Sequence, residues 1–184
     1  MPTVTFRSFD QGDAVAFLDT VQRYADDLLP WVDTPKRVTD LARARDSVSA
    51  KLSSGQPARF GVFLGGKVLG SAKLIELDTS LPDYEIGIWC IPSWRGKGLG
   101  KWLMESSIDT AFSFGAIRIS LRHAINNVAS RSLIESVGAI REGRLRCAAR
   151  IGDMLQDTII YSVLQTEWSQ KKAVSPCQRL FPEF

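Results

Sequence analysis

The chain has 184 residues, 45% of them hydrophobic and 23% charged, with a formal net charge of +3. That is enough apolar content to bury the core of one globular domain, and it excludes a disordered or low-complexity chain. The weak positive balance lacks the dense basic face of a nucleic-acid binder, and no apolar run reaches the roughly 18 residues of a membrane span.

The start, MPTVTFRSFDQGD, has neither a basic n-region nor an apolar h-region, so no signal peptide is expected. Residues 4–9 alternate and predict a first strand. Asp10 or Asp13 then caps a helix with Val15, Leu18, Val21 and Tyr24 near helical spacing. Pro30 and Pro35 frame a break, and a second helix is predicted over about 37–53, ending near Gly55.

From residue 58 the period changes to that of strands. ARFGVFL and KVLGSAKLIEL form a hairpin across Gly65-Gly66. DYEIGIWCI is a third strand of this set, with Glu85, Gly87 and Trp89 on one face and Tyr84, Ile86, Ile88 and Cys90 on the other. A glycine-rich turn leads into a helix with an apolar face of Leu99, Leu103, Met104, Ile108, Ala111 and Phe112, stopped by Gly115. AIRISLRHA is a strand, and Asn127 caps a helix that closes at Gly138. A last hairpin is predicted across Gly152-Asp153. The order is β-α-α-β-β-β-α-β-α-β-β, an α/β fold with a mixed sheet: one domain over residues 1–168, and an aperiodic tail over 169–184 that is loose or pinned to the surface. Cys90, Cys147 and Cys177 are an odd, widely spaced set without a CxxC. That argues against a disulfide framework or a metal site, and for a reducing, cytoplasmic setting.

The turn Arg95-Gly96-Lys97-Gly98-Leu99-Gly100 lies between a strand end and a helix start. Amides there lack helical partners, the helix dipole is positive, and Arg95 and Lys97 add charge, which together suit a pyrophosphate. Gly61-x-x-x-x-Gly66-Lys67 has the spacing of a P-loop, but Val68 replaces the required hydroxyl residue and a strand follows. Gly98-x-Gly100 also fails as a dinucleotide fingerprint, because position 103 is leucine.

Arg95-x-x-Gly98-x-Gly100 resembles the acetyl-CoA pyrophosphate loop of the GCN5-related N-acetyltransferases. EIGIWCIPSWRGKGLG, NVASRSLIESVGAIREGRLR and LLPWVDTP resemble segments of that family's RimJ/RimL branch, which acetylates the N-terminal amines of ribosomal proteins. The resemblance covers about residues 4–165. It implies a sheet splayed open between the strand ending near Ile91 and the strand 116–122. Acetyl-CoA would lie in the gap, its pantetheine against the backbone of Trp89, Cys90 and Ile91 and its pyrophosphate on residues 95–100. Ser130 resembles the family serine beside the thiol sulfur. Asn127 would cap its helix and bond the pantetheine. Asp157 falls where the branch often carries an aspartate, and Trp31 lies in the segment that the branch places beside the acceptor. One departure is Ala139, where the family commonly has an aromatic residue after the glycine.

Forming an amide from a thioester needs a base for the ammonium, a donor for the carbonyl oxygen and stabilisation of the leaving thiolate. Glu85 is the first base by its strand face, and Asp157 the rival. The N–H of Cys90 or Ile91 would polarise the carbonyl, and Ser130 would serve the sulfur. A structural role is expected for His123 and an inert thiol for Cys90. The expected activity is direct acetyl transfer in a ternary complex. The acceptor is a protein N-terminus or a small amine, including an antibiotic or toxin, entering between the first two helices and the last hairpin. The rival readings are a catalytically silent acyl-CoA sensor or scaffold and an ATP-binding protein. A homodimer is compatible with the resemblance.

Overall fold

Asp10 opens the helical part of the chain with a reciprocal cap: its carboxylate accepts from Gly12 N at 2.7 Å while Asp13 accepts from its amide at 2.9 Å. In the computed structural model, which describes residues 3–78, 80–151 and 154–174, this turn connects strand β1 (Thr5–Ser8) to helix α1 (Ala14–Arg23). Short helices α2 (Ala25–Leu28) and α3 (Thr34–Arg37) flank the Pro30–Trp31 bend. Helix α4 runs Leu41–Val48, shorter than the 37–53 expected. The reason is local. Asp40 takes the capping position, its side chain accepting from Arg43 N at 2.9 Å, and Lys51 is already bridged to Pro57.

Strands β2 (Arg59–Leu64) and β3 (Lys67–Asp78) meet across Gly65 and Gly66, whose φ values of 54° and 78° suit the tight hairpin turn. Strand β4 (Asp83–Cys90) precedes helix α5 (Leu99–Ser113). After these come strand β5 (Arg118–Ala124), helix α6 (Val128–Ser136) and the long pair β6 (Ile140–Ile151) and β7 (Met154–Leu164). The expected turn at Gly152-Asp153 and Cys177 lie outside the described residues. All seven strands join one mixed sheet in the order β1-β2-β3-β4-β5-β7-β6, in which only β4 and β5 run parallel.

The core lies on both faces of this sheet. Leu99, Leu103, Ile108 and Ala111 of α5 are fully buried, as their spacing predicts. Each large aliphatic side chain among them contributes about 1.5–3 kcal/mol by leaving water. Phe17 of α1 is equally buried and meets the Trp89 ring at 6.1 Å. Residues Gln165–Val174 form helix α7, which the expected 168/169 boundary crosses. Trp168 is buried there and its Nε1 donates to Asp109 Oδ1 at 2.7 Å, while Lys171 Nζ donates to Val137 O at 2.6 Å. These two tertiary bonds anchor a segment whose own periodicity is weak. Among the described residues no helix is long and apolar enough to cross a membrane.

Candidate active site

Strands β4 and β5 pair only at their first residues: Asp83 with Arg118, Tyr84 with Ile119 and Glu85 with Ser120. Beyond Glu85 they part. β4 continues against β3 to Cys90, and β5 continues against β7 to Ala124. The result is a V-shaped gap with an unpaired β4 edge, the form expected for a sheet that takes in an extended ligand. Ile91 N donates to Leu69 O at 2.9 Å, so that amide is spent on β3. Peptide groups alternate in direction along an antiparallel strand, so the N–H of Cys90 faces the gap. Of the two amides expected to polarise a carbonyl, only that of Cys90 stays available, which corrects the assignment to Ile91.

The glycine turn closes the wide end of this gap. Gly96 and Gly98 have φ of 73° and 83°, and Gly98 stands at the α5 N-terminus, where it offers no capping side chain to the first-turn amides. A Cβ on either glycine would meet nothing within 4 Å. Open space, uncapped amides and the positive end of a 15-residue helix fit a diphosphate. Arg95 is exposed, with Nη1 3.8 Å from Asp27, and Lys97 is exposed with Nζ 5.7 Å from the Trp94 ring centroid. Leu99 is wholly buried, so its main chain alone can serve the turn.

Gly100 has a different use. A Cβ there would lie 3.5 Å from Leu133 Cδ2 of α6 and 4.0 Å from Cys90 Sγ. Leu133 is one turn beyond Ser130 on the same helix face, so this contact brings half-buried Ser130 beside the start of α5. Asn127 Oδ1 accepts from Ser130 N at 3.0 Å, the expected cap, and the bond leaves the Ser130 hydroxyl uncommitted. Burial pushes the Cys90 thiol up to about 12, so it stays neutral and unreactive. His123 is buried, with Nδ1 2.8 Å from Ala124 O and an Nε2 that has no hydrogen-bond partner among the described residues.

The two carboxylates do not share a cleft. Glu85 stands on the face of Ser120 and Arg122, and Arg122 Nε lies 2.8 Å from its Oε2. Burial raises its pKa, Arg122 opposes that, and Asp83 adds to it. Register along β5 and β7 sets Thr158 on the same face through Ala124, so adjacent Asp157 points to the opposite one. There Asp157 accepts from Cys147 N at 2.9 Å and from Arg144 Nε at 2.5 Å, and those bonds hold its pKa below the usual carboxylate range. Cys147 has φ of 51° within the irregular stretch of β6, which Asp157 thereby fastens.

On the Glu85 face a cleft of about 710 Å³ opens between the sheet, the α2–α4 segment and the β6 end. Gly87 and Trp89 of β4 form part of its floor, half-exposed Trp31 stands among its walls, and Arg59, Lys73 and Arg150 also line it. Among the described residues no group of acidic, histidine or cysteine side chains could hold a metal ion.

A model of the acetyltransferase (GNAT) family matches residues 20–139, the span from α1 through the splayed strands to the end of α6. The chain belongs to the acetyltransferase (GNAT) family. It is similar to "Putative ribosomal N-acetyltransferase YdaF" of Bacillus subtilis, with 30% identity over 61% of this chain and 62% of that protein, so it spans somewhat under two thirds of that relative. It is 24% identical to spermidine N(1)-acetyltransferase of Vibrio cholerae over 90% of this chain and 95% of that one. Among solved structures, RimL, the ribosomal L7/L12 alpha-N-protein acetyltransferase in complex with coenzyme A, shares the fold with a TM-score of 0.80, 18% identity, and coverage of 90% and 96%. The RimJ/RimL-like likeness seen in the sequence agrees with these GNAT neighbours.

Within this GNAT fold, the residues expected from the sequence are distributed as follows: Trp31 and Trp89 line the cleft, the glycine turn opens α5, and Asn127 and Ser130 stand at the start of α6. The sequence reading missed Arg59 and Lys73. The signal was present: alternation along β3 puts Lys73 opposite Gly87, and β2 register puts Arg59 opposite Lys73, so both join the face of Trp89.

Proposed function

We propose that this N-acetyltransferase moves the acetyl group of acetyl-CoA onto a primary amine by direct transfer, with the amine held in the Trp31–Trp89 cleft. The observation that carries the reading is one gap bounded by three features: the β4/β5 split, Glu85 at its apex where the strands part, and the uncapped turn at Gly96–Gly98 at its wide end. Acetyl-CoA, when bound, supplies an acetyl group already activated as a thioester. Amides of residues 96–100 and the charges of Arg95 and Lys97 hold its diphosphate, and the open β4 edge orients its pantetheine, with Asn127 at the opposite wall. The Cys90 N–H is the donor for the carbonyl oxygen. Glu85, whose burial favours holding a proton, takes the ammonium proton directly or through water. Ser130 donates its hydroxyl to the sulfur. Asp157 is the alternative proton acceptor, but both of its oxygens are engaged on β6, which favours Glu85.

The acceptor is a protein N-terminus or a small amine, in a cytoplasmic setting. Incubating the protein with acetyl-CoA and a panel of amines, and following free thiol, tests the reading. Thiol release that depends on the amine supports it. Cofactor binding with no release above background would make the chain a silent acyl-CoA sensor.

A further inference from the structure

The acceptor cleft is lined by six basic side chains, Lys36, Arg37, Arg43, Arg59, Lys73 and Arg150, against the two acids Asp33 and Asp46. Two of the cations are answered: Arg37 Nε lies 2.5 Å from Asp33, and Arg43 Nε lies 3.5 Å from Asp40. The two deepest are not. Arg59 is buried, and among the described residues its hydrogen bonds go to neutral oxygens, Nε to Ser47 O at 3.2 Å and Nη1 to Ser71 Oγ at 3.0 Å; its guanidinium lies 5.1 Å from the Phe17 ring centroid, Asp33 favours its charge from a distance, and no carboxylate among the described residues is within ion-pair reach. Lys73, its cross-strand partner, makes no hydrogen bond or ion pair among the described residues. Burial, Arg59 and Arg37 all press the Lys73 ammonium toward its neutral form, and Asp33 only partly opposes them. Trp89 lines the same cleft, and its buried Nε1 has no hydrogen-bond partner among the described residues. Unanswered buried donors and charges are costly, and proteins retain them where a ligand completes them.

We infer that the acceptor amine carries an anionic group, a phosphate or a carboxylate, which Lys73 and Arg59 receive on the sheet face they share with Trp89. This deepens the proposed function and rests on the cleft being the acceptor side. The spacing is suitable: Lys73 stands opposite Gly87, and Trp89 lies two positions further along β4 than Gly87, about 7 Å of strand. The amine can therefore reach the β4 edge while its anion stays on Lys73. A polycation is disfavoured by the same charges, so the substrate class differs from that named for the spermidine-acetylating relative.

The test uses the full chain saturated with coenzyme A, so that the glycine turn is already filled. Calorimetric titration compares O-phosphoethanolamine, ethanolamine and spermidine, and a short peptide beginning with acidic residues against its amide counterpart. The anion-bearing member of each pair is expected to bind about tenfold more tightly, with Lys73→Met abolishing the difference and Lys73→Arg restoring it. The phosphate and peptide arms distinguish a small phosphorylated amine from an acidic protein N-terminus. Equal binding within both pairs, or tighter binding of spermidine, overturns the inference. Thiol release is read separately: anion-selective binding without release would fault the transferase reading and leave this one standing.

Discussion

The Glu85 carboxylate meets Arg122 Nε at 2.8 Å on the far side of the point where β4 and β5 part. The pair explains how a carboxylate can sit half-buried at the apex of the gap and still ionise. Burial raises its pKa and Arg122 limits the rise. A raised pKa means that the base form is lost at higher pH than for an ordinary carboxylate. The acid limb of the kcat/KM profile is therefore expected above the usual carboxylate range. Glu85→Gln should remove that limb and lower the rate by about 10²-fold near neutral pH, with a deficit that shrinks as pH nears the pKa of the amine. A pH–rate series on both proteins checks this. An unchanged profile in the variant, together with a larger loss in Asp157→Asn, would transfer the role to Asp157.

Gly98 is under two demands at once, a φ of 83° and an open approach in front of the helix. Gly98→Ala should cost about 1–2 kcal/mol of backbone strain, weakening coenzyme A binding roughly tenfold. Gly98→Asp adds a negative charge where the diphosphate is placed and should abolish binding. Calorimetry on the two variants separates strain from charge.

Asn127 and Ser130 share one hydrogen bond but use different atoms of it, a side-chain oxygen and a backbone amide. Asn127→Ala should therefore destabilise α6 by about 1 kcal/mol and lower Tm. Ser130→Ala keeps the capped amide, so Tm and coenzyme A affinity should hold while kcat falls. Thermal melts alongside steady-state kinetics check both. A fall in Tm without a fall in kcat for Ser130→Ala would make the hydroxyl structural.

Gly87 is exposed on the cleft floor, its φ is not in the left-handed region, and a Cβ there meets nothing within 4 Å. The backbone accepts a larger residue, so Gly87→Leu should fold. It should raise KM for the amine at least tenfold, with coenzyme A affinity unchanged, as measured by kinetics and titration.

Much of this architecture was legible in the residues because local rules and tertiary packing agree. The β2–β3 hairpin follows from Gly65-Gly66 between alternating runs, and α5 from an apolar stripe that is buried as spaced. The glycine turn and Ser130 were legible for the same reason: each sits at a helix start whose chemistry is local. Helix α7 was not, since Trp168 and Lys171 are fixed by Asp109 and Val137, far away in the chain. The contrast between the carboxylates was also hidden. Glu85 and Asp157 look alike as strand acids, and only register across β5 and β7 sends them to opposite faces. Likewise Arg59 and Lys73 become a site only when β2 and β3 align them.

Every role assigned to these residues requires acetyl-CoA in the gap between β4 and β5, and a crystal structure of the complex measures that directly. The expected result is the diphosphate on the amides of residues 96–100, the pantetheine along the edge that carries the Cys90 N–H, and the sulfur next to the Ser130 hydroxyl. Density for the thioester elsewhere, with the glycine turn bare, would contradict it.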